Sequence, residues 1–113
     1  RYDIIRRAEL YREDIALAVV PQDGVDRVTA AQAADELLTL KGVKASFVLT
    51  QYNHTIYVSA RAIDEVNVQI IMERLGGGGH MNIAGAQLSG ITAEAAKAKL
   101  KETLDAMIRE GAI

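Results

Sequence analysis

The chain has 113 residues, 50% of them apolar and 25% charged, with a formal net charge of −2 and no cysteine. That length suits one domain with a real core, and the acidic balance argues against a broadly basic nucleic-acid surface. The few aromatics, Phe47 and the tyrosines at 2, 11, 52 and 57, argue against a long stacking platform for single strands. Without cysteine there is no disulfide, thiolate metal site or cysteine nucleophile, which fits an intracellular protein. No apolar run reaches membrane-spanning length. The opening Arg1-Tyr2-Asp3 is neither a signal peptide nor an initiator methionine, and suggests a piece of a longer protein.

Residues 1–13 read as a charged helical lead-in, with Ile4, Ala8 and Tyr11 at helical spacing, and hence as a linker from an upstream domain. From residue 14 to 113 the pattern is that of one domain. Ile15-Ala16-Leu17-Ala18-Val19-Val20, closed by Pro21-Gln22-Asp23-Gly24, predicts a strand buried on both faces. Residues 26–40 form a helix with Ala30, Ala33, Ala34, Leu37 and Leu38 inward, stopped by Lys41-Gly42. The period then changes to two. Val43, Ala45, Phe47 and Leu49 alternate with polar residues, Asn53-His54 turns the chain, and Ile56, Val58 and Ala60 alternate with Thr55, Tyr57, Ser59 and Arg61, making a hairpin. Asn67 caps a helix with Val68, Ile71, Met72 and Leu75 inward. Ala84 to Ser89 is a short strand, and Thr92 caps a last helix carrying Ala93, Ala96, Leu100, Leu104 and Met107 on one face. The architecture expected is α+β: a mixed four- to five-stranded sheet holding a β-hairpin and a β-α-β crossover, flanked by helices.

Between that third helical segment's start at Asn67 and the last strand lies Leu75-Gly76-Gly77-Gly78-Gly79-His80-Met81-Asn82. Four glycines are entropically costly to order, and a helix stop needs only one. Either the run is a structural loop, or its backbone N–H groups approach a ligand closely. Glycine amides beside a histidine suit an anionic oxygen such as phosphate. The loop is neither a P-loop nor a dinucleotide fingerprint, because the helix runs into the glycines and points its carbonyl end at them. A cation must therefore come from elsewhere. Arg61, on the same strand face as Ser59, is the candidate, with a solvated arginine as the alternative. Asn82 is expected to bond to the loop backbone. His54 reads as a turn residue. Neither a Ser-His-Asp arrangement nor a metal cluster is visible, so no catalytic residue and no metal are expected in this chain.

Val58-Ser59-Ala60-Arg61, Asn67-Val68-Gln69-Ile70-Ile71-Met72-Glu73 and Gly-Gly-Gly-Gly-His with Ala84-Gly85-Ala86-Gln87 resemble the DHHA1 domain of DHH-family phosphoesterases, over about residues 14 to 110. The wording around the motif is most similar to the bacterial cyclic-di-AMP phosphodiesterases of the GdpP type. The resemblance implies a DHHA1 fold and a preceding DHH domain, in the same chain, that holds two divalent metals, usually manganese. It implies a phosphorylated nucleotide, cyclic or linear, bound by Arg61, Gly76, Gly77, Gly78, Gly79 and His80, with Ser59 and Asn82 in support. It also implies a membrane-anchored parent that keeps this domain on the cytoplasmic side without direct membrane contact; a homodimer is left open. Ala62 and Ile83 depart from the family's usual serine and alanine. The rival functions are a nucleic-acid-binding module of a nanoRNase or exonuclease type acting on short oligonucleotides, an autonomous acid–base enzyme using His80, and a purely structural domain.

Overall fold

The hairpin residues form the centre of the molecule. In a computed structural model, which describes residues 3–20 and 25–113, the strands β3 (Ala45–Tyr52) and β4 (Thr55–Ala62) pair antiparallel from Tyr52↔Thr55 to Ala45↔Ala62. Only Asn53 and His54 separate them, and Asn53 takes the left-handed φ of 56° that such a tight turn needs. β2 (Ile15–Val20) lies parallel to β3, joined through α1 (Arg27–Leu37), which is the expected crossover. The Pro21–Gly24 turn lies outside the described residues. α2 (Val68–Arg74) leads into β5 (Gly78–Gly79), then β6 (Ile83–Ser89) and α3 (Ala93–Arg109). With β1 (Glu9–Tyr11), the sheet has six strands in the order β1-β2-β3-β4-β6-β5, two more than the shorter expectation.

The added strands are the short edges. β1 falls where a helical lead-in was expected. Residues 5–7 make a single 3-10 turn, and Glu9–Tyr11 then pairs antiparallel with Leu17–Ile15. Tertiary contacts override the local spacing. Glu9 is ion-paired to Lys97 and Lys101 of α3, the Tyr11 hydroxyl donates to Asp105 at 2.6 Å, and Arg12 Nε meets the same carboxylate at 3.0 Å. These contacts hold Glu9 and Asp105 below the ordinary carboxylate range: Lys97 is the main cause for Glu9, and the Tyr11 hydroxyl for Asp105.

Alternating strand residues supply two cores. On one sheet face, Ala16, Ala18, Val20 and Val48 pack on Ala30, Ala33, Ala34 and Leu37 of α1. On the other, Leu17, Phe47, Leu49, Ile56 and Val58 meet Ile71 and Met72 of α2 and Leu100, Leu104 and Met107 of α3. Ser46 and Thr50 are the buried polar residues of β3 on the α1 side, and Ser46 lies deeper. Ser46 is fully buried, and its hydroxyl donates to the Ala34 carbonyl at 2.6 Å, so its burial leaves that hydroxyl paired. Two of the N-caps are those the sequence indicated. Asn67 Oδ1 accepts from Gln69 and Ile70, and Thr92 Oγ1 from Ala95.

Candidate functional site

α1 packs against β3 and β4, whereas α2 and α3 pack on the opposite face. The α1 side of the sheet is therefore open beyond β4. Period two brings Tyr57, Ser59 and Arg61 of β4 onto this open surface, and their register partners Gln87, Gly85 and Ile83 of β6 stand beside them. Arg27 at the start of α1 and Gly76-Gly77 before β5 close the sides of a hollow of about 660 Å³. That volume lies within the ordinary range for small-molecule sites, roughly 300–1,000 Å³.

Arg61 is the best fixed side chain in the hollow, with 14% of its side-chain surface exposed. Its Nε donates to Asp35 Oδ1 at 3.0 Å, and its Nη1 to the Ala60 carbonyl at 2.9 Å. Asp35 belongs to α1 and is itself 63% exposed, so the pair adds little stability, about 0–1 kcal/mol. Its effect is orientation. Two fixed bonds set the guanidinium plane and leave its remaining N–H groups for a planar, bidentate anion.

The glycines divide into distinct roles. Gly76, at φ +86°, and Gly77 close α2 with a double cap: Gly76 N–H donates to Glu73 and Gly77 N–H to Met72. A Cβ on Gly77 would come within 2.1 Å of the Gly85 carbonyl oxygen, and one on Gly79 within 2.6 Å of Ala84 Cα. Gly78 alone of these three would project a side chain into open space. The run is thus not a free loop. Gly78 and Gly79 pair with Gly85 and Ala84, and close strand approach accounts for two of the glycines. Since the Gly76, Gly77 and His80 amides donate within the chain, the expected cradle of loop amides is largely engaged.

His80 donates its amide to the Ile83 carbonyl at 2.7 Å, opening the turn into β6. Its exposed ring stands at that turn and is not among the residues lining the hollow, nor are Gly78, Gly79 and Asn82. Asn82 Nδ2 bonds to the Val66 carbonyl at 3.3 Å, tying the turn to the segment before α2 instead of to its own loop. The hollow therefore unites Ser59, Arg61, Gly76 and Gly77, and Gly78, Gly79, His80 and Asn82 fall outside its lining. Sequence reasoning missed Asp35, Arg27 and Gln87. Tyr57 was visible, since it shares the alternation of Ser59 and Arg61. Among the described residues, no group of three or more His, Cys, Asp or Glu side chains could hold a metal ion, and no helix is long and apolar enough to cross a membrane.

An open sheet face with a clamped arginine, closed at one side by Gly76 and Gly77, has the chemistry to accept an anion. A family model of the DHHA1 domain matches residues 13–110, and the chain belongs to that family. It is 48% identical over 106 residues to the cyclic-di-AMP phosphodiesterase GdpP of Geobacillus thermodenitrificans, covering 92% of this chain and 16% of the relative. To the Bacillus subtilis protein of the same name it is 44% identical over 115 residues, covering 98% of this chain and 18% of that one. The chain thus spans less than a fifth of the length of these relatives. Among solved structures, an exopolyphosphatase-related protein from Bacteroides fragilis superposes with a TM-score of 0.79 at 20% identity, over 92% of this chain and 32% of that one, which shows a shared fold.

Proposed function

We propose that this domain is the substrate-holding half of a metal-dependent phosphodiesterase that hydrolyses a cyclic dinucleotide, cyclic-di-AMP. The observation that carries the reading is the fixed orientation of Arg61 in an open hollow that Gly76 and Gly77 help to line, in a chain 42–48% identical to cyclic-di-AMP phosphodiesterases. Arg61 neutralises the phosphate, as is usual where phosphoryl transfer rests on positioning. Gly76 and Gly77 keep the hollow free of side chains, and Ser59 supplies a hydroxyl on its floor. Gly78, Gly79 and His80 meet a phosphate lying across the sheet edge, with Asn82 bracing their turn. Because the pair His80–Ile83 is hydrogen-bonded, antiparallel alternation turns the Gly79 N–H away from β6, toward that edge.

The described residues do not fit a metal centre. In this reading two divalent ions, manganese by resemblance, belong to an upstream DHH domain in the same chain, on the cytoplasmic side of a membrane-anchored parent. Such ions would supply, in that domain, an activated water for the hydrolysis. What this chain does is hold and orient the nucleotide.

The test is titration of the chain with cyclic-di-AMP and, separately, with the linear dinucleotide. Weak, salt-sensitive binding without turnover is expected, and Arg61→Gln should lower affinity about tenfold or more, as loss of a charge-assisted hydrogen bond does. Manganese-dependent turnover that disappears in His80→Ala would instead establish an autonomous enzyme. Clear preference for the linear ligand would move the substrate to short oligonucleotides.

A further inference from the structure

The hollow has a second end, away from Arg61. There Tyr57 lies with the Arg27 guanidinium 5.0 Å from its ring centroid, and Gln87 is its register partner on β6. Both Tyr57 and Gln87 line the hollow, and so does Arg27. No hydrogen bond within the chain engages the Gln87 carboxamide or the Tyr57 hydroxyl, among the described residues. Nothing in the packing of the fold requires these residue types: the Tyr57 side is the open one, and Gln87 is exposed.

The geometry points to a purine-base subsite formed by Tyr57, Arg27 and Gln87, reached by the same nucleotide whose phosphate Arg61 holds. This rests on the phosphate reading given above. Tyrosine and guanidinium planes both stack on bases. A free carboxamide pairs a donor with an acceptor, matching the N6/N7 edge of adenine. The spacing suits one nucleotide laid along β4. Arg61 and Tyr57 are four residues apart on one face, about 13 Å at strand rise, and Ser59 stands midway for the ribose hydroxyls. Gly85 lies between Gln87 and Ile83 on the neighbouring strand, so the middle of the track has no side chain from β6. The larger π-surface of a purine favours it over a pyrimidine.

The experiment titrates the 113-residue chain with ribose 5-phosphate, AMP and UMP, following backbone and side-chain amide resonances. Ribose 5-phosphate should shift Gly76, Gly77 and Arg61 Nε. AMP should add the Gln87 carboxamide, Arg27 Nε and Tyr57, and bind about tenfold tighter, in keeping with one stacked base; UMP should fall between. Tyr57→Leu and Arg27→Ala should each remove most of the AMP advantage while leaving ribose 5-phosphate binding unchanged, which doubles as the check on folding. Gln87→Leu should narrow the gap between AMP and UMP. Equal affinity and identical shifts for AMP and ribose 5-phosphate, with Arg61 responding, would overturn the base subsite and leave the phosphate reading intact. Base-dependent shifts at Tyr57 and Gln87 with a silent Arg61 would support the subsite and overturn the phosphate placement. Silence at every one of these residues would overturn both.

Discussion

A side chain at Gly77 would place its Cβ 2.1 Å from the Gly85 carbonyl oxygen, whereas one at Gly78, the next residue, would meet nothing within 4 Å. Gly77→Ala should therefore force β5 from β6 and destabilise the domain by about 1–3 kcal/mol, the usual range for overpacking; thermal melting would show it. Gly78→Val should leave the melting temperature nearly unchanged and weaken cyclic-di-AMP binding, since the new side chain stands at the sheet edge. Equal, large losses in both quantities would make Gly78 a structural residue. Asp35→Ala should likewise spare stability but lower nucleotide affinity severalfold, because it frees the Arg61 guanidinium to rotate; partial recovery in Asp35→Asn would separate geometry from charge. Some of this was legible in the sequence. The alternation Tyr57, Ser59, Arg61 put these residues on one face, and Gly76 read as a helix stop. Asp35 was not legible, because its contact with Arg61 joins a helix to a strand 26 residues away. Nor was the reason for Gly77 and Gly79, which depends on how β6 packs beside them.

At the scale of elements, β1 shows why local spacing can mislead. Ile4, Ala8 and Tyr11 repeat like a helix, yet Glu9, Tyr11 and Arg12 find partners on α3 more than 90 residues later. Those partners give the domain a pH dependence whose sign is fixed. The Glu9 and Asp105 carboxylates titrate below their ordinary values of 4.5 and 3.8 when folded. Each contributes stability above its unfolded value, and that contribution is lost as the pH falls through the lower, folded one. Melting temperature should thus be flat near neutrality and decline as the pH drops below about 4.5, with Asp105→Asn showing a shallower decline. A slope unaffected by that substitution would detach β1 from acid unfolding. The hairpin, the crossover and the caps Asn67 and Thr92 were readable because their signals are local: turn residues, alternation and capping oxygens. β5 was not, since two glycines carry no pattern at all.

For the molecule as a whole, three helices cannot cover both faces of six strands. The apolar budget went to β2, β3 and the inner face of β4 and β6, where Phe47 is fully buried. Phe47→Ala should cost about 3–5 kcal/mol, a large part of the roughly 5–15 kcal/mol that a domain of this kind has, and circular dichroism should find it unfolded or close to it. The outer face of β4 and β6 stays uncovered, and it is there that we propose the nucleotide binds. The net charge of the protein is −2, so attraction for an anionic ligand is local to Arg61. Affinity should fall as added salt shortens the screening length to below about 10 Å, and an affinity independent of salt would argue for a mainly apolar contact.

A sheet that leaves one face open also has two rims, and rims are where foreign strands attach. Here β1 has three residues and β5 two, against six to eight in the strands between them. One rim is cut short by Arg12 and Glu13 in left-handed backbone, the other by a glycine pair too brief to template anything. Rims this short offer little foothold to other chains, and lengthening either one with β-branched residues should promote aggregation.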